Sequence, residues 1–275
     1  TKWHLGHTTW FFETFLLERE LPSYRPEVPA YATLFNSYYN AVGPQFTRAQ
    51  RGLLSRPTVR EVLRYRTRVD NMVRELLAGC PDHRLAAVEE IVELGLHHEQ
   101  QHQELLLTDI KHVLAFNPLR PAYRERKTRP SSGVEPAPLG FSVYDGGVAN
   151  IGAEDSGFCY DNERPRHRAL LRPFGLARRL STNADYLAFI DDGGYRRPEL
   201  WLDEGWQRVQ REGWTAPLYW ELHDGTWWSM TLDGFRAIDG DEPVCHVSFF
   251  EADAFARWAA SSGAQPGARL PTEFE

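Results

Sequence analysis

A stretch rich in proline and arginine, residues 117–138, separates two parts of the chain that differ in character. The stretch has almost no apolar periodicity, which predicts a linker or an extended crossing segment instead of a folded unit. A chain of 275 residues is long enough for two domains. We therefore predict a helical domain at residues 1–120, a linker at 121–138 and a second domain at 139–275.

Apolar residues in the first part recur with the period of a helix. Residues 3–19 and 83–116 follow this pattern, and a further helix is predicted to begin after Thr58. Glu61 follows Thr58 at the spacing of a capping box. A short helix is predicted within residues 31–41. The pattern is typical of a helical bundle of about four elements.

The second part has no regular period and is rich in glycine and tryptophan. Residues 141–152 predict short strands around a Gly-Gly turn, and two short helices are predicted at 183–190 and 249–261. The tryptophan-rich stretches between them predict loops. These features indicate an irregular α+β domain. The chain stops at Glu275 without a signal that ends a helix or a strand, and we expect the domain to be incomplete there.

Two histidines on the last predicted helix of the first part have the spacing of metal ligands. His98 and His102 are four residues apart, so they lie on one face, about 6 Å apart along the helix axis. The third ligand that a divalent ion needs is expected from another helix, and the N-terminal helix offers His7 or His4. Glu99 is a weaker alternative, because it lies about 100° around the helix from His98. Neutral imidazole suits zinc, iron, copper and nickel, so the spacing leaves the metal open.

The composition restricts the partners of the chain. The net charge of −7 argues against nucleic acid or an anionic membrane as the main partner, because both require a basic surface. We see no apolar run of about 18 residues and no signal peptide. The cysteines Cys80, Cys159 and Cys245 form no CxxC pair and no disulfide framework, which favours a reducing cytoplasm.

Several motifs carry a resemblance to a known family. In the first part they are Trp3-His-Leu-Gly-His7 and His98-Glu-Gln-Gln-His102-Gln-Glu104. In the second part they are Asp161-Asn-Glu-Arg-Pro-Arg-His167, Thr182-Asn183, Asp192-Gly-Gly-Tyr195, Pro243-Val-Cys-His-Val-Ser248 and Arg269-Leu-Pro-Thr-Glu273. Through these motifs the chain resembles the sulfoxide synthases of ergothioneine biosynthesis (the EgtB family) and the related selenoneine synthases. The resemblance implies a DinB-like four-helix bundle followed by a formylglycine-generating-enzyme-like domain of C-type-lectin-like fold.

The resemblance also implies a metal and a reaction. It implies iron(II) held by His7, His98 and His102, with O2 as a co-substrate. The expected enzyme forms a C–S bond oxidatively between hercynine (N-trimethylhistidine) and cysteine or γ-glutamylcysteine, giving a sulfoxide. Gln101 matches a position that helps to hold hercynine in the family. The substrates are small molecules, and the oligomeric state stays open.

Two tyrosines and two carboxylates complete the expected site. Tyr38 and Tyr39 resemble a tyrosine pair that family members using free cysteine place near the iron, where a phenol can donate a proton or a hydrogen atom. This pair favours free cysteine as the donor. Ligand histidines also need hydrogen-bond acceptors that fix their tautomers, and Glu13 and Glu104 are the candidates.

Four alternative functions remain. A selenoneine synthase would join hercynine to a selenosugar with the same iron chemistry. A DinB-type hydrolase or thiol transferase would hold zinc or nickel at the same histidines. A formylglycine-generating oxidase relies on a reactive cysteine pair, for which Cys159 and Cys245 show no motif. A lectin-like binding protein would leave the helix histidines without a role.

Overall fold

The computed structural model describes residues 1–125, 137–263 and 265–275 of the chain. The chain divides into two compact units, Thr1–Val113 and Leu114–Glu275. Residues 126–136, which make up most of the predicted linker, lie outside the described residues. In the part of the chain that is described, no helix is both long and apolar enough to cross a membrane.

The first unit is built from helices. In chain order they are α1 (Lys2–Phe12), a π-helical turn (Glu13–Leu17), α2 (Glu18–Glu20), α3 (Tyr31–Leu34), a 3-10 helix (Arg48–Leu53), α4 (Val59–Gly79) and α5 (Asp82–Ala115). The three long helices predicted from periodicity are confirmed to within a few residues. The helix predicted within residues 31–41 is only the single turn of α3.

The predicted capping box at the start of α4 is confirmed. The Thr58 hydroxyl accepts a hydrogen bond from the Glu61 backbone N–H at 3.2 Å, and the Glu61 carboxylate accepts one from the Thr58 N–H at 2.6 Å. Both donors would otherwise lack a partner at the helix end, and such a cap contributes about 1 kcal/mol. It fixes where α4 begins.

The π-turn after α1 places a carboxylate inside the core. Glu13 is buried, and both of its oxygens accept hydrogen bonds from tyrosine hydroxyls, one from Tyr24 and one from Tyr65 at 2.5 Å. Burial, followed by interaction with Glu13, raises the pKa values of both tyrosines, so they remain neutral donors. Tyr65 lies on α4, so this group joins the first helix to the rest of the unit.

Two glycines allow the helices to approach closely. A Cβ on Gly6 would lie 2.3 Å from the Phe35 ring, and a Cβ on Gly95 would lie 2.5 Å from the Phe12 ring. Neither position has room for a larger residue without a shift of its neighbour. Gly6 brings α1 against Phe35, and Gly95 brings α5 against α1. The segments of α1 and α5 that follow Gly6 and Gly95 are therefore close together in space.

The second unit combines short strands and helices, as predicted. Its strands are β1 (Phe141–Tyr144), β2 (Gly147–Ile151), β3 (His167–Leu171), β4 (Phe174–Ala177), β5 (Trp220–His223), β6 (Thr226–Thr231) and β7 (Gly234–Ala237). Its helices are α6 (Asn183–Asp191), α7 (Asp203–Glu212) and α8 (Phe249–Ser261). The predictions of α6 and α8 are confirmed, whereas α7 falls in a stretch for which we predicted loops.

The predicted Gly-Gly turn bends the chain without forming a hairpin. β1 pairs with β4 and β2 pairs with β3, both antiparallel, so the segment through Gly146 and Gly147 continues alongside the β3–β4 segment. Gly146 has a φ of +72°. A Cβ at Gly146 would lie 2.5 Å from the Leu171 carbonyl oxygen, so this bend requires glycine. β5, β6 and β7 form a separate antiparallel sheet.

The core of the second unit is aromatic and surrounds a buried carboxylate. Tyr186, Phe189, Tyr195 and Trp201 are buried around Ala254 of α8. The Tyr195 hydroxyl donates to Glu251 at 2.5 Å, and burial raises the pKa of Tyr195. Most of the tryptophan-rich stretches therefore supply this core or the strands.

Candidate metal centre

Three histidines from two helices come together in the first unit. His7 of α1 and His98 and His102 of α5 are all buried, and one ligand nitrogen from each lies within 4.8 Å of those of the other two. The Nε2 atoms of His7 and His98 are 3.2 Å apart. Among the described residues this is the one cluster of at least three histidine, cysteine, aspartate or glutamate side chains with ligand geometry. The structure thus places the three predicted ligands side by side.

The His7 ring is fixed on its far side and on both faces. Its Nδ1–H donates to the Phe35 carbonyl oxygen at 2.6 Å, which leaves Nε2 with its lone pair free toward the cluster. Trp3 stacks on one face at a centroid distance of 4.7 Å, and Trp10 lies at 5.6 Å. Because Gly6 allows Phe35 to approach α1, the carbonyl of this loop residue reaches the imidazole.

His98 and His102 are supported differently. The Nδ1 atom of His98 is buried and has no hydrogen-bond partner among the described residues. The Nδ1 atom of His102 lies 2.8 Å from Nδ1 of His4, and His4 Nε2 lies 2.8 Å from an Asp109 carboxylate oxygen. His4, the alternative third ligand, therefore lies behind His102 and forms hydrogen bonds with both of its nitrogens.

The carboxylates considered from the sequence do not join the cluster. Glu99 forms an ion pair with Arg66 at 2.9 Å, so it is not directed at the histidines. Glu13 is occupied by two tyrosines, and Glu104 is exposed on α5. The expectation that Glu13 and Glu104 accept hydrogen bonds from the ligand histidines is wrong. The partner of Nδ1 is a backbone carbonyl at His7 and another imidazole at His102.

Burial keeps the three histidines neutral. It lowers the pKa of His7 to about 3 and those of His98 and His102 to about 4. The hydrogen bond to Phe35 opposes the shift at His7, and the neighbouring histidines lower the values of His7 and His102 further. A metal binds the neutral imidazole, so these nitrogens need not lose a proton before they can bind an ion at pH 7.

The remaining predicted site residues lie at different distances from the cluster. Tyr39 is half-buried, with its ring centroid 6.4 Å from that of His7 and 5.0 Å from that of Phe15, and burial raises its pKa. Tyr38 is 69% exposed, and its hydroxyl accepts from Arg48 at 2.6 Å. Gln101 is exposed on α5, one residue before His102. The structure distinguishes the two tyrosines, which the sequence did not.

Sequence reasoning missed Arg51, which lies next to the cluster. Its guanidinium is 3.8 Å from the centroid of the Trp3 ring, on which His7 also stacks. Its Nε is buried without a partner among the described residues, and its charge lowers the pKa values of His7 and His102. No spacing motif connects Arg51 to the histidines, because Arg51 lies on the 3-10 helix between α3 and α4, far from them in the sequence.

The arrangement fits a divalent transition metal. Two imidazole nitrogens about 2.1 Å from one ion and about 100° apart would be separated by about 3.2 Å, which is the distance between His7 Nε2 and His98 Nε2. Three neutral nitrogen ligands leave positions for substrates on the ion, and they suit iron as well as zinc, copper or nickel. The donor set therefore supports a catalytic metal site and does not select among these metals.

Comparison with protein families divides the chain in the same order as the two units. Residues 1–106 match the DinB superfamily. Residues 129–275 match the sulfatase-modifying factor enzyme 1-like domain. These matches confirm the predicted order of a DinB-like region followed by a formylglycine-generating-enzyme-like domain.

The chain is also similar to three mycobacterial proteins named hercynine oxygenase. It is 34% identical to that of Mycolicibacterium thermoresistibile over 99% of this chain and 56% of the relative. It is 38% identical to that of Mycolicibacterium smegmatis over 66% of this chain and 40% of the relative. It is 43% identical to that of Mycobacterium tuberculosis over 46% of this chain and 28% of the relative. The chain thus spans little more than half the length of the Mycolicibacterium thermoresistibile protein and less than half that of the other two.

Proposed function

The chain belongs to the sulfatase-modifying factor family through its second unit and, as a whole, to the family of the hercynine oxygenases, and on this premise we propose that it is an iron(II)- and O2-dependent sulfoxide synthase. The proposed reaction joins an imidazole carbon of hercynine to the sulfur of cysteine or γ-glutamylcysteine. The imidazole C–H and the thiol S–H are lost, one oxygen atom of O2 becomes the sulfoxide oxygen, and the other leaves as water. O2 is the four-electron oxidant, so the reaction balances without another reductant.

The observation that carries this proposal is the cluster of His7, His98 and His102. All three are buried and neutral, and their nitrogens converge from two helices. Iron(II) at these nitrogens would supply a redox-active centre that binds the thiolate of the sulfur donor and reduces O2. The iron is chosen over zinc because the similar proteins are named oxygenases.

We assign the proton donor of the reaction to Tyr39. Its ring centroid lies 6.4 Å from that of His7, and its ring contacts those of Trp10 and Phe15, so the tyrosine is partly shielded from water. Burial raises its pKa, so its hydroxyl carries a proton that it can give to a reacting oxygen. Tyr38 is directed to solvent and Arg48, so we give it no part in proton transfer.

Two further side chains are suited to the substrates. Arg51 brings a positive charge close to His7, and the carboxylate of an amino-acid donor is the kind of group that a guanidinium binds through two hydrogen bonds. Gln101 is exposed beside His102, where its amide can bind the hercynine imidazole or carboxylate. In this proposal the amino-acid sulfur donor binds on the Arg51 side of the cluster and hercynine binds on the Gln101 side.

The test is a product assay. The purified protein is loaded anaerobically with Fe(II), given hercynine, and exposed to O2 with cysteine, γ-glutamylcysteine or a selenosugar in parallel. We expect a sulfoxide with free cysteine or γ-glutamylcysteine and O2 uptake that depends on hercynine. Product with the selenosugar alone would replace this function with that of a selenoneine synthase. Tightly held zinc with no O2 uptake would indicate a hydrolase or thiol transferase.

A further inference from the structure

A chain of hydrogen bonds leads from the histidine cluster to the protein surface. His102 Nδ1 lies 2.8 Å from His4 Nδ1, and His4 Nε2 lies 2.8 Å from Asp109 Oδ2. His102 and Asp109 are two turns apart on one face of α5, and His4 reaches them from α1. The His4 side chain is 9% exposed and that of Asp109 is 65% exposed. These hydrogen bonds therefore connect a buried candidate ligand with a carboxylate in solvent.

The contact between the two imidazoles couples their tautomers. A hydrogen bond between two neutral imidazole nitrogens needs one proton between them. If His4 donates from Nδ1, His102 accepts there and carries its own proton on Nε2, where no lone pair is then left for a metal. If His102 donates from Nδ1, its Nε2 is free. The contact between His4 and His102 alone permits both arrangements.

Asp109 selects one of them. An ionised carboxylate can only accept hydrogen bonds, so its contact with His4 Nε2 places the proton of neutral His4 on that nitrogen. His4 Nδ1 is then an acceptor, and His102 donates to it from Nδ1. We propose that His4 and Asp109 are positioning residues, which hold the proton of His102 on Nδ1 and keep its Nε2 free for the metal. The inference rests on the proposed function only in treating His102 as a ligand.

The other two histidines of the cluster are held in different ways. The proton of His7 is fixed by a backbone carbonyl, and His98 Nδ1 has no partner among the described residues. His102 is thus the candidate ligand whose tautomer depends on other side chains. Substitutions can change this support without touching a ligand, and this makes the inference testable.

The first experiment measures tautomers in the metal-free protein. Histidine-labelled protein is studied by long-range ¹H–¹⁵N correlation spectroscopy, and the His102 signals are assigned by their loss in His102→Gln. We expect His102 to carry its proton on Nδ1, and we expect Asp109→Ala to populate the Nε2-protonated form. Glu104→Ala is the matched control, because it removes an exposed carboxylate from the same helix and should leave the spectrum unchanged. An Nε2–H on His102 in the unsubstituted protein, or an unchanged spectrum in Asp109→Ala, overturns the inference.

The second experiment measures Fe(II) affinity by anaerobic titration. His4→Leu removes the acceptor and is expected to weaken binding about 10- to 100-fold, as is usual when a group that orients a ligand is lost. His4→Asn keeps an amide oxygen near the position of Nδ1 and is expected to recover most of the affinity. A purely structural role for His4 predicts equal losses in both variants, and that result overturns the inference, as does unchanged affinity in His4→Leu. If the unsubstituted protein binds no Fe(II), the proposed function fails, while the tautomer measurement still decides this inference.

Discussion

The Nε2 atoms of His7 and His98 lie 3.2 Å apart, although 91 positions separate the two residues in the chain. Both side chains are buried, and in the metal-free protein one imidazole proton between the two nitrogens gives a hydrogen bond of this length. A metal ion bound by both nitrogens would take the place of that proton.

Removing one ligand should abolish metal loading and leave the fold intact. We expect His98→Ala to reduce the Fe(II) content from about one ion per chain to almost none, because two ligands hold an ion too weakly. The measurement is anaerobic metal analysis after gel filtration, with circular dichroism for the fold. His83→Ala, at an exposed histidine of the same helix, is the control. Full iron occupancy in His98→Ala would refute the site.

The stability of the metal-free protein should fall as the pH is lowered from 7 to 5. The pKa values of His7, His98 and His102 are lowered by burial to about 3, 4 and 4, whereas histidines of the unfolded chain titrate near 6.5. Below pH 6.5 the unfolded chain therefore binds protons that the folded chain does not. Each such histidine contributes about 1.4 kcal/mol per pH unit to this loss, and none above pH 6.5.

Urea unfolding at several pH values measures this dependence. His98→Leu removes one of the three groups and should make the curve of unfolding free energy against pH less steep in the same range. Parallel curves for the two proteins would show that His98 is not held neutral by the fold.

Gly6→Ala should weaken both the fold and the metal site. The new methyl group would lie 2.3 Å from the Phe35 ring, and the displacement of Phe35 would move the carbonyl that orients His7. We expect a loss of about 1–3 kcal/mol in unfolding free energy, typical of overpacking, together with weaker Fe(II) binding. Gly79→Ala, where no atom lies within 4 Å of the new Cβ, should be neutral or slightly stabilising. Equal effects of the two substitutions would contradict the packing described for α1.

Glu13→Ala should destabilise the first unit without changing the metal ligands. The substitution leaves the Tyr24 and Tyr65 hydroxyls buried without their acceptor, at a cost of about 1–3 kcal/mol for each hydroxyl. The double substitution Tyr24→Phe with Tyr65→Phe in the Glu13→Ala background removes these unsatisfied donors and should recover part of the loss. Chemical unfolding checks both values, and no recovery in the triple variant would mean that the cost has another origin.

Tyr39→Phe should slow sulfoxide formation far more than Tyr38→Phe. Loss of a proton donor costs about 10²- to 10⁴-fold in rate, whereas the Tyr38 side chain is exposed and its hydroxyl is bonded to Arg48. The readout is single-turnover product formation with hercynine and cysteine, with Fe(II) content measured to confirm equal loading. A larger effect from Tyr38→Phe would reverse the assignment.

The sequence predicted those features of the fold that depend on neighbouring residues. The capping box of Thr58 and Glu61 and the helices α6 and α8 follow from local chemistry and periodicity, and the structure has them. Helix α7 was missed because its ten residues are mostly polar and offer only Trp206 and Val209 as apolar contacts. Its formation depends on packing, which a local pattern does not contain.

The site was predictable in part for the same reason. The spacing of His98 and His102 is a local property of one helix, but spacing alone left His7 and His4 as alternatives. What distinguishes them is that His4 bonds to Asp109 and His102, while His7 bonds to Phe35. These contacts join residues 28 to 105 positions apart, and the position of Arg51 over Trp3 is equally non-local.

The π-turn at Glu13–Leu17 sets the rotational phase of the helix that carries His7. A π-turn holds one residue more than an α-turn, and each residue of an α-helix turns the chain by about 100°. The five residues of the π-turn therefore turn the chain about as far as four residues of an α-helix would, and the extra residue does not rotate Lys2–Phe12. If the same five residues formed regular α-helix instead, Lys2–Phe12 would rotate by about 100° relative to the residues that follow, and His7 would face away from α5. A change in the backbone hydrogen bonds of this turn can therefore eliminate the metal centre in a sequence whose ligands are all intact.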